Sequence, residues 1–310
     1  MQRLMEESGQ QPASRPFRAG YVAIVGEPNV GKSTFMNCLL GQKLSIVSNK
    51  PQTTRHRIGG ILSEDQFQII FLDTPGLLEP KYLLHESMMH SVGTAIGDAD
   101  LVLFMIDCMA PIVTGKGEGD IGLDLLRKLG KPAYLLINKI DLVDKNQLIP
   151  VIARSSDWYP FREIFPISAS NNVNTEHIVE CIVRELPDHP PYYPVDAVSE
   201  HPERFFVGEI IREKIFEIFR EEIPYATTVE ILDFKEQKGR KDVIEAEIYV
   251  ERDSQKGILI GKNGRALKEI GELSRKDIEI FLGRRVFLNL HVKVREKWRE
   301  KEEWLKRLGY

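Results

Sequence analysis

Residues 26–33 read Gly-Glu-Pro-Asn-Val-Gly-Lys-Ser and directly follow an apolar run at residues 21–25. The spacing is that of a phosphate-binding loop, G-x-x-x-x-G-K-[ST], placed between a buried strand and a helix that begins near Lys32. Its glycines let successive backbone N–H groups point at a polyphosphate, and the helix N-terminus adds partial positive charge. Lys32 is predicted to contact the β- and γ-phosphates, and Ser33 to bind magnesium. The candidate contacts are Gly26, Glu27, Pro28, Asn29, Val30, Gly31, Lys32, Ser33 and Thr34.

Short apolar runs alternate with helical patterns over residues 18–186. This alternation predicts an α/β domain, a mostly parallel sheet with helices on both faces, and ligands on such sheets bind beyond the carboxyl ends of the strands. A proline-rich stretch at 187–203 is typical of a stiff extended connector. Residues 204–310 form a second, smaller α+β unit with the predicted order helix, strand, strand, helix, helix, strand, and residues 1–17 are predicted to be a flexible leader.

Two further loops fit the binding of a nucleoside diphosphate or triphosphate. Asp73, Thr74, Pro75 and Gly76 close the apolar run at residues 69–72. An Asp at a strand end beside a phosphate loop is placed to hold Mg²⁺, and Gly76 can bring its N–H close to a γ-phosphate. Upstream lies a polar stretch at residues 50–56, in which a threonine can complete the magnesium shell. We favour Thr54 over Thr53, and we expect this stretch to be ordered by the triphosphate and released after hydrolysis.

Guanine recognition is predicted at two later strand ends. Asp141 can accept hydrogen bonds from guanine N1–H and the exocyclic amine, both of which adenine lacks. In the same loop Asn138 ties down the backbone, and the stem of Lys139 can cover the ring. Ser168 and Ala169 follow the last strand, and the Ala169 N–H is expected to donate to guanine O6. The combined loops predict GTP as substrate, GDP as product and Mg²⁺ bound by Ser33, Thr54 and Asp73.

These segments, in this order, resemble those of the translation-factor-related GTPases, and their amino-acid sequences resemble those of the Era-like group. The second unit resembles a KH domain of the bacterial type II order, with the loop Gly261-Lys262-Asn263-Gly264 between two helices. Such a loop lets the backbone lie against nucleic-acid phosphates. The candidate RNA contacts are Gly257, Ile258, Ile260, Gly261, Lys262, Asn263, Gly264 and Arg265, with Ile258, Leu259 and Ile260 expected to floor the groove.

The resemblance implies a target near the 3′ end of 16S ribosomal RNA, and a role as a GTP-controlled switch in assembly of the small ribosomal subunit. It also bears on catalysis, because Leu77 stands where many GTPases have a glutamine that orients water. Slow intrinsic hydrolysis is therefore expected. In relatives with an apolar residue here, the loop asparagine, here Asn29, helps to hold K⁺; the alternative is that Asn29 only shapes the loop. The residues predicted to act on the reaction are Lys32, Thr54, Gly76 and Asn29.

Charge and composition limit the classes of molecule that the chain is expected to bind. The 310-residue chain has a net charge of −4, yet residues 252–310 carry 16 Lys and Arg against 9 Asp and Glu. A basic end suits a polyanion, although a solvated face of mixed charge has the same composition. Three scattered cysteines and the lack of an apolar stretch of about 20 residues predict a cytoplasmic protein. Residues 293–310 are expected to form a basic amphipathic helix whose tryptophans either pack on the second unit or contact the inner face of the cell membrane.

Three alternatives remain open at this stage. The first is a GTPase of the Der-like or MnmE-like kind, although the chain has room for one set of loops and lacks flanking helical domains. The second is a nucleotide-gated RNA scaffold with negligible turnover. The third is a kinase or ATPase that uses the phosphate loop, against which Asp141 argues.

Overall fold

The computed structural model describes residues 16–48, 50–109, 120–237 and 239–310. The predicted leader at residues 1–17 therefore lies almost wholly outside the described part. Over the first domain, six strands form one sheet in the order β2-β3-β1-β4-β5-β6, and β2 alone runs antiparallel to its neighbour. The strands are β1 Arg18–Gly26, β2 Ile58–Glu64, β3 Phe67–Asp73, β4 Leu101–Asp107, β5 Ala133–Asn138 and β6 Glu163–Pro166.

Helices cover both faces of this sheet, as the alternation predicted. They are α1 Lys32–Leu40, α2 Leu83–Asp98, α3 Ile121–Leu129, α4 Lys145–Ser155 and α5 Thr175–Glu185. Each face has its own apolar core, one containing Phe35 of α1 and Ile178 of α5, the other Val92 of α2 and Leu123 of α3. Because β1, β3 and β5 are parallel, their carboxyl ends at Gly26, Asp73 and Asn138 lie along the same edge.

The second domain has the predicted order of elements, with one additional short helix, Ile223–Ala226, before its first strand. Its sheet, β7-β8-β9, pairs β7 and β8 antiparallel and β8 and β9 parallel. An apolar core joins this sheet to helices on one of its faces. The elements are α6 Glu203–Ile218, α7 Ile223–Ala226, β7 Thr228–Lys235, β8 Asp242–Val250, α8 Asp253–Ile260, α9 Arg265–Leu282 and β9 Val286–Val294.

The proline-rich connector is fastened to the first domain, first at β3 and then along the edge strand β2. The buried side chain of Gln68 accepts hydrogen bonds from the backbone N–H groups of Tyr192 and Tyr193, at 2.8 and 3.0 Å. Farther along, Ile61 N–H donates to Val198 O at 3.0 Å, and His201 Nε2 lies 2.9 Å from Arg57 O. The connector thus belongs physically to the first domain, which the polar and proline-rich composition of residues 187–201 did not suggest.

The prediction of a C-terminal amphipathic helix is wrong. Strand β9 continues to Val294, and only a 3₁₀ turn at Trp298–Glu300 and a short helix, α10 Glu302–Arg307, follow. Trp298 is fully buried against Leu84 and Met88 of α2, and its Nε1–H donates to Ala226 O at 2.9 Å. Burial of this large ring between the domains leaves it unable to contact a membrane, and no helix in the described ranges is long and apolar enough to span one.

Candidate functional site

The phosphate loop joins β1 to α1 and depends on glycine at two close approaches. A Cβ on Gly26 would lie 2.1 Å from Met105 O, and one on Gly31 would lie 2.2 Å from Asn138 Nδ2. Gly31 also has a φ of 104°, in the region that L side chains rarely adopt. The phosphate loop therefore lies directly against Asn138 at the end of β5. Of the predicted base contacts, Lys139 lines the same cavity as the phosphate loop.

Lys32 lies inside this loop with its charge partly desolvated. Its Nζ donates to Gly26 O at 2.9 Å and to Glu27 O at 2.8 Å. Burial lowers the pKa of Lys32 to about 8, although the negative charges of Asp73 and Glu27 act in the opposite direction. A polyphosphate in the loop would add negative charge beside the ammonium group and so favour its protonated form.

Three oxygen-bearing side chains meet where the magnesium ligands were predicted. Ser33 Oγ donates to Asp73 Oδ2 at 2.7 Å and lies 2.9 Å from Thr54 Oγ1. Asp73 is fully buried, burial raises its pKa, and its Oδ1 has no hydrogen-bond partner among the described residues. Hydroxyl and carboxylate oxygens suit Mg²⁺, and the unpartnered buried oxygen fits a cation or its hydration shell. Thr53 differs from Thr54, since its hydroxyl donates to Lys50 O at 2.7 Å.

A cavity of about 390 Å³ surrounds these groups. The stretch that begins after α1 closes one side of it, and Gly76 closes another, so close to Pro28 that a Cβ would lie 2.8 Å from the proline backbone. Asn29, Lys32, Thr34 and Lys139, which are among the predicted nucleotide contacts, contribute to the wall. The full lining is Pro28, Asn29, Gly31, Lys32, Ser33, Thr34, Ile46, Val47, Ser48, Gln52, Thr53, Thr54, Gly76 and Lys139.

Asn138 holds the base-side loops together. Its Nδ2 donates to Val30 O at 2.7 Å, and its Oδ1 accepts a hydrogen bond from Ala169 N–H at 3.0 Å. The N–H that was expected to reach guanine O6 thus already donates within the protein, and a base would have to share it. Asp141 follows in an exposed turn after Lys139, outside this buried network.

Several residues of the site were missed by sequence reasoning. Asp107, at the end of β4, forms an ion pair with Lys139 at 2.6 Å and so orients the residue predicted to cover the base. Asn37 accepts hydrogen bonds from the N–H groups of Leu44 and Ser45, at 2.9 and 3.0 Å, and fixes the start of the stretch that covers the cavity. A polar residue at a strand end was an available signal for Asp107; none was available for Asn37.

Leu77 agrees with the expectation of slow hydrolysis. Its side chain is 7% exposed and belongs to the apolar core with Phe104 and Leu123, while its N–H donates to Gly26 O at 3.0 Å. A side chain committed to that core has no polar group to offer a water molecule. The side chain that follows the Asp-x-x-Gly segment therefore contributes apolar packing, and its backbone N–H bonds the phosphate loop.

Residues 50–56, hereafter the switch segment, are bound directly to the second domain. Arg55 is 2% exposed, and its guanidinium donates to Thr227 O at 2.8 Å and to Pro224 O and Tyr225 O at 3.0 Å. Arg212 of α6 donates to Thr53 O and to Glu209. Lys50 likewise donates to backbone carbonyls at the end of α6. Nothing in the sequence indicated this contact, because arginine is usually exposed and the partners are more than 150 residues apart.

The predicted RNA loop has the backbone of a close phosphate approach. Gly261, Asn263 and Gly264 all have positive φ, at 72°, 54° and 76°, and α9 begins at Arg265. Ile258 is exposed and Ile260 partly buried, but Leu259 lies in the domain core instead of flooring a groove. The groove beside the loop has a volume of about 540 Å³ and is lined by Lys241, Gly264, Leu267, Lys268, Gly271, Glu272, Arg275, Val286, Phe287, Leu288 and Leu290.

The sheet order, the phosphate loop, the Ser33–Thr54–Asp73 cluster and the loop at Asp141 together define a P-loop GTPase domain. Comparison with known proteins agrees: a family described as 50S ribosome-binding GTPase matches residues 21–139, and the KH domain family matches residues 222–299. Two crystal structures share 41% sequence identity with the chain at a TM-score of 0.90, covering 95% of it and 99% of their own chains. They are a point variant of Aquifex aeolicus Era bound to GDP·AlF4⁻, and Era in complex with MgGDPNP and nucleotides 1506–1542 of 16S ribosomal RNA.

The chain belongs to the Era family of GTPases. The predicted fold class, GTPase activity and Mg²⁺ cofactor are thereby confirmed, and so is the resemblance to the Era-like group. A kinase, and a GTPase with two nucleotide domains, no longer fit. The roles given to individual residues stay predictions.

Proposed function

We propose that this chain is a GTP-controlled RNA-binding factor that engages the 3′ end of 16S ribosomal RNA during assembly of the small subunit, in the cytoplasm. One observation carries the control: the switch segment reaches the magnesium cluster through Thr54 and the KH domain through Arg55, its neighbour. Displacement of Thr54 would therefore disturb a buried interdomain contact one residue away. The 41% identical Era bound to 16S ribosomal RNA supports the choice of RNA.

In this proposal each part of the site has one task. Ser33, Thr54 and Asp73 hold Mg²⁺, which supplies positive charge to the phosphates and to the transferred phosphoryl group. Lys32 and the loop amides position the polyphosphate, and Gly76 approaches the γ-phosphate. Asp141 selects guanine, with Asn138, Lys139, Ser168 and Ala169 around the base. Residues 18–186 with the fastened connector form one body and residues 204–310 the other. The K⁺ role of Asn29 stays a prediction.

RNA binding tests the proposal directly. Full-length chain is titrated onto a labelled RNA of nucleotides 1506–1542 in MgGDPNP and in GDP, before and after Lys262→Glu. Lys262 is an exposed cation in the Gly-x-x-Gly loop, and reversing its charge opposes phosphate contact, so we expect the Kd to rise about tenfold or more. We also expect the GDPNP form to bind more tightly than the GDP form.

Lys128→Glu is the matched control, since Lys128 is exposed at the end of α3 on the GTPase domain. It makes the same change in net charge and should leave the Kd within about twofold. An equal loss of RNA affinity in both variants would show that the effect comes from overall charge and not from the Gly-x-x-Gly loop. Equal RNA affinity in the two nucleotide states would refute nucleotide control.

The two threonines of the switch segment give a second test. Thr54→Ala should weaken Mg²⁺-dependent binding of GDPNP by about tenfold and leave GDP binding nearly unchanged, because the hydroxyl next to Ser33 is needed only when the γ-phosphate is present. Thr53→Ala should have little effect on either, since its hydroxyl bonds Lys50 O. Fluorescent nucleotide titration at several Mg²⁺ concentrations measures both. The reverse order of effects would assign the ligand to Thr53.

A further inference from the structure

Among the described residues, the wall of the cavity around the phosphate loop has no side chain of the kind that usually orients the attacking water. Leu77 is buried in the apolar core, and among the described residues the cavity wall contains no carboxylate and no histidine. Water nevertheless has to be held in line with the bond to be broken, next to the γ-phosphate. The remaining polar residues of the described wall are the candidates for that task.

A carboxamide suits this task better than the other polar groups present. Its oxygen can accept a hydrogen bond from the attacking water while its N–H donates to a phosphate oxygen. Lys32 and Lys139 can only donate. The hydroxyls of Ser33 and Thr54 are engaged with each other, and that of Ser33 also donates to Asp73. Two carboxamides line the cavity, Asn29 and Gln52. Asn29 lies within the phosphate loop and already has a partner in the protein.

Gln52 contributes to the cavity wall from the switch segment, two residues before Thr54. It is half-buried, and its amide makes no hydrogen bond with another described residue. Its backbone has a φ of 60°, a conformation that costs a non-glycine residue about 1 kcal/mol or more and that collects at functional sites. Glycine at this position would relieve that cost, so a purely structural role gives no reason for glutamine.

We propose that Gln52 positions the attacking water for GTP hydrolysis, in place of the side chain absent at Leu77. The water oxygen forms a bond to the γ-phosphorus as the bond from that phosphorus to the β–γ bridging oxygen breaks. The electron pair of the broken bond stays on GDP, and the water proton passes to the released phosphate. Gln52 exchanges no proton; it accepts a hydrogen bond from the water and donates one to the γ-phosphate.

Two variants test the role: Gln52→Ala, and Gln52→Gly, which removes the amide and also relaxes the backbone. Single-turnover release of phosphate from GTP should fall about 10- to 100-fold in both. Affinity for GDPNP should stay within about twofold, because the ground state has no attacking water to orient. Affinity for GDP in the presence of aluminium fluoride, which mimics the transferred phosphoryl group with its water, should fall by a similar factor to the rate.

Gln66→Ala is the matched control, since Gln66 is exposed in the turn between β2 and β3. It should leave all three measurements unchanged. An unaltered rate in either Gln52 variant would overturn the proposal. A fall in rate matched by an equal fall in GDPNP affinity would also overturn it, since Gln52 would then only hold the switch segment in place. Recovery of the rate in Gln52→Gly but not in Gln52→Ala would assign the effect to the backbone.

Discussion

Replacement of Asp141 by asparagine is expected to lower the affinity for GDP by about 10²- to 10⁴-fold. Two hydrogen bonds from guanine to a carboxylate are each worth about 1.5–3 kcal/mol, and the asparagine N–H would face the guanine amine as donor against donor. Xanthine has a carbonyl where guanine has that amine. The same variant should therefore gain affinity for xanthosine diphosphate, which competition titrations with a fluorescent nucleotide would measure.

Asp144→Asn provides the control for this exchange. Asp144 is an exposed carboxylate in the same loop region, and it caps α4, a role that asparagine fills equally well. Its replacement should leave both affinities unchanged. If Asp141→Asn weakened all nucleotides alike, including the xanthine nucleotide, the carboxylate would be a structural group of the loop and the assignment of base recognition would be wrong.

Replacement of Arg55 by alanine is expected to loosen the contact between the domains. The variant leaves three backbone carbonyls without their donor and a cavity between Phe216 and Trp298, whose ring centres both lie 6.0 Å from the guanidinium carbon. Losses of this kind cost about 3–5 kcal/mol. Native-state amide hydrogen exchange over residues 223–227 should report a free energy of local opening lower by that amount.

Arg57→Ala is the control that separates the loss of a buried side chain from the loss of a positive charge. Arg57 lies two residues away, has a side chain 31% exposed, and pairs with Asp98 at 2.9 Å. Partly exposed ion pairs contribute about 1 kcal/mol or less, so exchange at residues 223–227 should hardly change. The fluorescence of Trp298 gives a second reading, because opening of the contact would wet the indole and shift its emission to the red in the Arg55 variant alone. Equal protection in the two variants would show that Arg55 does not hold the domains together.

The nucleotide loops could be predicted because each is a local pattern at a strand end. The phosphate loop, Asp73 and Asn138 are read from a few adjacent residues, and the parallel sheet then brings their strand ends together. Thr54 could be preferred to Thr53 from the sequence without a geometric reason. The structure supplies one, in the hydrogen bond of Thr53 to Lys50, although a ligand role for Thr54 stays a prediction.

The contacts between domains could not be predicted in the same way. Arg55 and Arg212 belong to a residue type that is mostly exposed, and their acceptors lie more than 150 residues away in the chain. Residues 293–310 show why charge patterning misled: alternating basic and acidic residues resemble a helix face, yet Trp298 is inserted between the domains and breaks the regularity. Leu259 was misassigned for a similar reason, because an apolar side chain suits either a binding groove or the core, and the structure places it in the core.

The fastening of the connector limits how the two halves can move. Hydrogen bonds with Gln68, Ile61 and Arg57 hold the chain to the strand edge as far as His201, and α6 begins at Glu203. The free link between the first and the second domain is thus little more than Pro202, although the proline-rich stretch is much longer in the sequence. Any movement of the second domain relative to the first therefore has to pivot at residues 201–203. A link this short limits how far the two domains can separate.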